Sequence, residues 1–360
     1  MENARAFFEP VENCGHYAEN ARKSRRIPSE GSVKWNMGSG MNYSNDAFVT
    51  MLLTMALSPN REEYARPYAT QELRRLEARM HATGMYHLGQ LMNVDIGGLM
   101  LKLDISEEEA YRLYTLLNRS VQLSYSLESH LKQGIEVVTC CDQDFPERLR
   151  RRMGEAAPPM FYRCGSDTLL SRPMLGIVGI SGVKTSTEAR AGIEALVRNG
   201  VRLGYTILTG GEMGVSRIAC NLALECGGTL VEVLGGDMLE HIHEDGISEM
   251  LAMGRATVVS LEHPEALFTV SHAIARNKLL FSLAEAAFIF NTDGKRGESD
   301  AIRNHYCDWI YAWQGWPGNQ PLITRGAIAA GNIAGMDFDA LSAHWKDSES
   351  EQMNIFDMLK

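Results

Sequence analysis

Apolar segments alternating with helical segments between residues 174 and 313 are the feature that most constrains the fold of this chain. Segment 174–180 is almost continuously apolar, which is typical of a strand buried on both faces of a parallel sheet. Segment 185–199 has helical spacing, with a capping-box pattern at Thr185 and Glu188 and a stop at Gly200. Because this alternation continues, the sequence predicts an α/β fold with a doubly wound, mostly parallel sheet. The predicted strands are 174–180, 205–209, 230–234, 256–261, 286–291 and 309–313, and the predicted helices are 185–199, 215–226, 272–283 and 300–308.

The rest of the chain divides into segments of different character. Residues 1–45 show no regular pattern and carry a basic cluster at 22–26, so we expect an irregular N-terminal arm. Residues 46–135 have helical spacing and predict a helical domain, in which Ser106 and Glu109 form a capping box. Residues 136–332 carry the predicted sheet. Residues 333–360 form an acidic C-terminal tail, for which packing on its own domain and binding of a partner are both open.

Composition and charge exclude several classes of protein. The chain has 360 residues and a formal net charge of -10, whereas proteins that hold nucleic acid through nonspecific phosphate contacts are usually basic. Any nucleic-acid site must therefore be a local patch. No apolar stretch approaches the roughly 20 residues that span a bilayer, and the N-terminus lacks a secretion-signal pattern. We expect a cytoplasmic protein without membrane contact, whose seven cysteines are reduced because they form no CxxC pair.

Three glycine-rich turns each follow a predicted strand. Glycine at the end of a parallel strand lets the backbone approach a ligand, and the next helix begins with free N–H groups. Since the carboxyl ends of parallel strands share one edge of a sheet, these turns predict a binding site for a phosphate-bearing ligand. The alternative is that the glycines only make tight turns. The candidate residues are Gly179, Ser181 and Lys184 in the first turn, Gly210, Gly211 and Gly214 in the second, and Gly235 and Gly236 in the third.

Two basic segments are expected at the same edge. Arg276, Asn277 and Lys278 lie in an apolar helix that leads into a strand, and their side chains suit contacts with phosphates or base edges. Lys295 and Arg296 follow that strand in a loop. A helix and a loop exposed to solvent are the structural alternatives.

No catalytic, metal-binding or dinucleotide pattern stands out. The first turn lacks GxGxxG spacing, and Arg198 stands near the position where a dinucleotide fold has an acidic residue. His241 and His243 have no accompanying cluster of cysteines or carboxylates with metal-ligand spacing. There is no GxSxG or Walker motif. We therefore predict no catalytic residue, no metal and no cofactor.

Five ordered blocks stand out over residues 134–330. They are GIEVVTCCDQDFPERL with PPMFYRCG, LGIVGISG, ILTGGEMGVSRIACNLALECGGTLVEVLGGDM, ARNKLLFSLAEAAFIF and NQPLITRGAIAAG. In this order, the blocks resemble the DprA/Smf family of DNA-processing proteins. The resemblance implies a Rossmann-like sheet, a homodimer, and non-catalytic binding of single-stranded DNA in a positive pocket by a protein that loads a recombinase.

Departures from the family pattern concern the pocket. The arginine expected after the first turn is absent, so that Lys184 is the nearest cation, and the second turn carries Glu212 in a segment where the family has Ala-Arg. Arg276 and Lys278 carry over. We expect the acidic tail in the place where many members of the family carry a winged helix. Fewer phosphate contacts would weaken DNA binding and flatten its salt dependence.

Three functions stay open from the sequence. The first is binding of single-stranded DNA as a recombination mediator or DNA-sensing regulator. The second is a DprA-like antitoxin or regulator that acts through a protein partner, such as a toxin in a phage-defence pair. The third is a nucleotide-processing enzyme similar to the lysine-decarboxylase-like phosphoribohydrolases, whose glycine-rich motif is incomplete here before Glu298.

Overall fold

The computed structural model describes residues 35–36, 42–59, 63–295 and 297–346. Most of the predicted N-terminal arm, the candidate Arg296 and residues 347–360 of the predicted tail lie outside the described residues. In the described part of the chain, no helix is both long and apolar enough to cross a bilayer. The six cysteines described there form no disulfide.

The chain divides into two compact units, Met1–Phe145 with Gly154–Tyr162, and Pro146–Met153 with Arg163–Lys360. The first unit is mainly helical and packs around leucines such as Leu73, Leu99 and Leu113. Ser106 caps one of its helices by accepting a hydrogen bond from the backbone N–H of Glu109. Its elements are β1 (Trp35–Asn36), β2 (Asn42–Tyr43), α1 (Asn45–Thr54), α2 (Thr70–Ala82), α3 (Ile96–Leu103), α4 (Glu107–Leu117), α5 (Ser120–Lys132) and β3 (Ile135–Thr139).

The second unit contains the predicted parallel sheet. β4 (Met160–Gly165) ends in this unit, which also holds α6 (Glu147–Met153). The elements that follow are β5 (Met174–Val178), α7 (Thr187–Arg202), β6 (Thr206–Thr209), α8 (Val215–Glu225), β7 (Leu230–Leu234), α9 (Met238–His241), α10 (Ile247–Ala252), β8 (Ala256–Ser260), α11 (Val270–Leu283), β9 (Ala286–Ile289), α12 (Glu298–Arg303), β10 (Trp309–Trp313), α13 (Gln320–Thr324) and β11 (Ile328–Ala330).

The strand order in this unit is β11-β10-β9-β5-β6-β7-β8, with β4 beyond β8. The pairs from β11 to β8 are parallel. The chain runs outward from β5 to β8 on one side and then from β9 to β11 on the other, so the order reverses between β5 and β9. A reversal of this kind opens a crevice at the carboxyl ends of the two strands, where ligands bind in doubly wound folds. The structure confirms the predicted fold class.

Helix α7 differs from its prediction at both ends. Ser186, not Thr185, caps it by accepting a hydrogen bond from the Ala189 N–H at 3.1 Å. The helix continues past Gly200 to Arg202, and a Cβ at Gly200 would lie 2.9 Å from Leu175 and 3.2 Å from Ile207. Gly200 therefore allows the helix to approach the sheet closely. The left-handed residue that follows the helix is Gly204, with φ of 86°.

The described start of the predicted tail packs on the second unit. Residues 338–346 are helical. Trp345 is 1% exposed, and its indole N–H donates to the Tyr311 hydroxyl at 3.2 Å. The ring stands edge-on to Tyr205 at 5.9 Å between centroids. Trp345 thus completes the core on one face of the sheet.

Candidate ligand site at the carboxyl edge of the sheet

A small pocket lies at the point where the strand order reverses. Its wall is formed by the end of β5, by the residues that follow β5 and β6, by one face of α11 and by the first turns of α8 and α12. This is the edge to which the sequence assigned the first two glycine turns and the basic helix. The lining residues are Val178, Gly179, Ile180, Gly210, Glu212, Ser216, Arg276, Asn277, Leu280 and Glu298.

The first glycine turn, after β5, packs closely against the start of α8 and the residues after β9. A Cβ on Gly179 would lie 2.6 Å from Val215 and 2.7 Å from the Asn291 side chain, so only glycine fits. The Ile180 N–H donates to Asn291 Oδ1 at 2.7 Å, which links the ends of β5 and β9. Ser181 and Lys184 follow in an exposed loop and are not among the lining residues.

The second glycine turn lies against Arg276. The Arg276 Nη1 donates to the carbonyl of Gly210 at 2.7 Å, and a Cβ on Gly210 would lie 1.8 Å from that nitrogen. Gly211 and Gly214 both have a positive φ, of 71° and 91°, and Gly214 is the residue before α8. Glycine is therefore required here for the shape of the turn and for the approach of the guanidinium group.

Arg276 forms a buried ion pair with Glu212. Its Nη2 donates to Glu212 Oε1 at 2.8 Å, and the two side chains are only 5% and 12% exposed. The Glu212 side chain does not cap α8, whose first turn has no side-chain cap. The cation predicted to contact a ligand is thus already bound to a carboxylate of the same pocket.

The third glycine turn, with Gly235 and Gly236, lies against the protein's own backbone and is not among the lining residues of the pocket. A Cβ on Gly236 would lie 2.5 Å from the backbone N of Phe268, and one on Gly235 would lie 3.3 Å from the backbone N of Ala273. The segment after β8 crosses directly over this turn, and the Asp237 N–H donates to the Ala266 carbonyl at 2.7 Å. These glycines accommodate the protein's own backbone.

The other predicted binding residues of the two basic segments have different environments. Asn277 is buried in the pocket wall. The Lys278 Nζ lies 3.5 Å from Asp300 Oδ2, and both side chains are about one-third exposed. Lys295 is exposed in the loop after β9. Lys184 and Lys295 therefore follow adjacent strands at one edge of the sheet, outside the pocket wall.

Glu298 and Ser216 line the pocket although the sequence did not single them out as binding residues. Glu298 is 1% exposed and accepts a hydrogen bond from the Thr292 hydroxyl at 2.8 Å. It is the first residue of α12, after Gly297 with φ of 89°. The sequence signal that could have indicated Glu298 was a glycine followed by a helix start after a predicted strand. Together, Glu298 and Glu212 give the pocket wall two carboxylates and Arg276 gives it one cation.

A second buried cluster lies beneath the same glycine turn. His241 contacts Glu232 through Nε2 at 2.6 Å and Glu244 through Nδ1 at 2.9 Å. Burial alone would lower the pKa of His241, but the hydrogen bonds and negative charges of the two carboxylates outweigh it and raise the pKa. Arg217 donates to the other oxygen of Glu244 at 2.5 Å.

The cluster around His241 accounts for one of the two histidines noticed in the sequence. A carboxylate only accepts hydrogen bonds, so the doubly protonated ring satisfies both partners. His243 is exposed. In the described ranges, no group of three or more His, Cys, Asp or Glu residues has the arrangement of a metal site.

The sequence matches the family described as DNA recombination-mediator protein A over residues 136–317, just over half of the chain. No match is found among curated protein sequences. The structure is similar to DNA processing protein A from Streptococcus pneumoniae, with 18% identity over 74% of this chain and 96% of that chain and a TM-score of 0.48. For DNA processing protein A from Helicobacter pylori, described for its single-stranded DNA binding mode, identity is 19% over 58% and 96% of the two chains, with a TM-score of 0.46. The molybdenum cofactor carrier protein from Chlamydomonas reinhardtii has 17% identity over 48% and 97%, with a TM-score of 0.34.

Proposed function

The chain belongs to the DNA recombination-mediator protein A family, and on that premise we propose that it is a non-catalytic protein that binds single-stranded DNA at the carboxyl edge of its sheet. It would act as a recombination mediator or a DNA-sensing regulator. The observation that supports this proposal most is that the family match includes every residue of the pocket wall.

The exposed cations at this edge suit a phosphate backbone better than the pocket itself does. Lys184 and Lys295 are exposed in loops that follow the adjacent strands β5 and β9. Exposed lysines contact phosphates without the loss of an internal ion pair, whereas Arg276 is bound to Glu212. The DNA backbone would therefore run along the edge and place one group at the mouth of the pocket.

Binding of a fluorescein-labelled oligothymidylate, measured by anisotropy as a function of salt, tests the proposal. We expect the Lys184→Ala/Lys295→Ala variant to bind more weakly than wild type, with a salt slope shallower by about 0.7 for each phosphate that the variant no longer neutralises. The matched control is Arg198→Ala/Arg202→Ala, which removes two cations from the exposed face of α7, toward the opposite edge of the sheet. No binding by wild type at low salt, or equal reductions in affinity in the two variants, would contradict the proposal.

A homodimer and a protein partner, either a recombinase or a toxin, are further parts of this proposal that follow from the family. The apolar sequence at the end of the acidic tail lies outside the described residues. Light scattering on the full chain measures the oligomeric state, with a dimer as the expected result.

Glu298 supports a second candidate function, that of a nucleotide hydrolase. Its carboxylate is buried in the wall of the pocket that Arg276 also lines, at the start of α12. The sequence resemblance places the glycine-rich catalytic motif of phosphoribohydrolases in the segment that leads to it. Release of base from nucleoside monophosphates by wild type, abolished in Glu298→Ala, would favour this enzyme over the binding protein. No release by wild type would exclude it for those substrates.

A further inference from the structure

The contact between Arg276 and Glu212 has the chemistry of a ligand contact. A guanidinium group binds carboxylates and phosphates through the same charged N–H donors. Arg276 gives one such donor to Glu212 Oε1 and another to the carbonyl of Gly210. The carboxylate of Glu212 therefore stands where an anionic group of a ligand would meet this arginine.

The turn that carries Glu212 is fixed by its backbone. Gly211 and Gly214 flank it with positive φ angles, and the Arg217 N–H donates to the Glu212 carbonyl at 3.1 Å. The guanidinium group of Arg276 lies so close to Gly210 that no Cβ fits between them. The backbone of Glu212 and the guanidinium group of Arg276 are thus held in place. A ligand anion reaches Arg276 only if the side chain of Glu212 rotates away.

We propose that Glu212 closes the pocket as an intramolecular substitute for a ligand phosphate, so that the ligand binds Arg276 only by displacing it. This inference rests on the proposed function, because it concerns the same edge of the sheet. The apparent affinity for the ligand is then the affinity of the open form multiplied by the fraction of molecules in which the pair is open. A polyanion anchored by the exposed lysines at the edge can displace Glu212, whereas a small phosphate compound cannot.

The test compares wild type with Glu212→Gln, which keeps the size of the side chain and removes its charge. We expect Glu212→Gln to bind the labelled oligothymidylate at least about tenfold more tightly, the difference made by one charge-assisted hydrogen bond. Inorganic pyrophosphate should raise the melting temperature of this variant and leave that of wild type unchanged. Arg276→Ala in the Glu212→Gln background should remove both gains.

Glu298→Gln is the matched comparison, because it removes the same charge from the pocket wall and leaves the pair intact. Equal gains in Glu212→Gln and Glu298→Gln would show a general charge effect and overturn the inference. No gain with either probe, in Glu212→Gln and in a second variant Glu212→Ala, would also overturn it. Stabilisation of Glu212→Gln by pyrophosphate, without oligothymidylate binding by any variant, would support the role of Glu212 and contradict the single-stranded DNA proposal.

Discussion

Replacement of His241 by glutamine is predicted to destabilise the second unit by removing the cation between two carboxylates. Glu232 lies in the centre of β7, is 2% exposed, and also accepts a hydrogen bond from the Thr209 hydroxyl. Glutamine can donate to Glu232 but carries no charge. Breaking a buried ion pair by removing one partner costs about 3–5 kcal/mol, and we expect about 3 kcal/mol because the amide keeps one hydrogen bond.

The pH dependence of this destabilisation follows from the direction of the pKa shifts. The pKa of His241 is raised in the folded protein, so its contribution is fully present below the unfolded value of about 6.5 and is lost as pH rises through the folded value. Despite burial, which acts to raise it, the pKa of Glu244 is lowered by Arg217 and His241, so its contribution disappears as pH falls through its folded value. The cost of His241→Gln should therefore be largest at about pH 5 to 6 and smaller at about pH 9.

Urea unfolding of the wild type and variants at these pH values measures the predicted destabilisation. The control is the double variant Glu232→Gln/His241→Gln, in which both buried charges are gone and the amides can bond each other. It should be more stable than His241→Gln alone, since the single change leaves a carboxylate buried without its cation. A destabilisation below about 1 kcal/mol in the single variant, a double variant that is less stable still, or a destabilisation that does not change with pH would refute the reasoning.

Further predictions concern side chains of the second unit. Trp345→Ala should lower the free energy of unfolding by about 3–5 kcal/mol, because the indole ring is buried against Tyr205 and Tyr311. Urea unfolding measures this decrease, with Lys346→Ala as the control. Equal decreases in the two variants would contradict the prediction. Arg152→Ala should lower the free energy of unfolding by about 2 kcal/mol, because Arg152 donates to carbonyls at the end of α11 and pairs with Asp308 at 2.9 Å. The control is Arg303→Ala at an exposed position, which should lower the free energy of unfolding by about 0.5 kcal/mol or less. Burial raises the pKa of Cys220 to about 12, so at about pH 8.5 iodoacetamide should modify the half-buried Cys226 before Cys220, as peptide mass spectrometry would show.

The sheet could be predicted from the sequence because its signals are local. Apolar runs mark the buried strands, and their spacing along the chain gives a parallel sheet. Gly200 shows the limit of local signals, since a glycine inside a helix and one at its end look the same in a sequence. Only the distances to Leu175 and Ile207 show that this glycine serves the packing of α7 on the sheet.

The position of the candidate site on the sheet could be predicted from the sequence, but the arrangement of its charges could not. Glycines after parallel strands placed it at the carboxyl edge, and the basic residues of α11 placed Arg276 there. The partner of Arg276 was hidden because Glu212 precedes it by 64 positions. The backbone contact at the third turn could not be predicted, because nothing in the sequence indicates that residues 266–268 lie against Gly236.

The backbone of the edge and the charges on it are determined by different residues. Gly179, Gly210 and Gly214 shape the turns through close approach and positive φ, requirements that do not depend on side-chain charge. The side chain of Glu212 extends from a turn already fixed, so a carboxylate there changes the electrostatics without a change of fold. Because it faces the buried Arg276, that single carboxylate forms a closed ion pair with it. On the proposal that a phosphate binds here, its affinity is determined by how readily this pair opens.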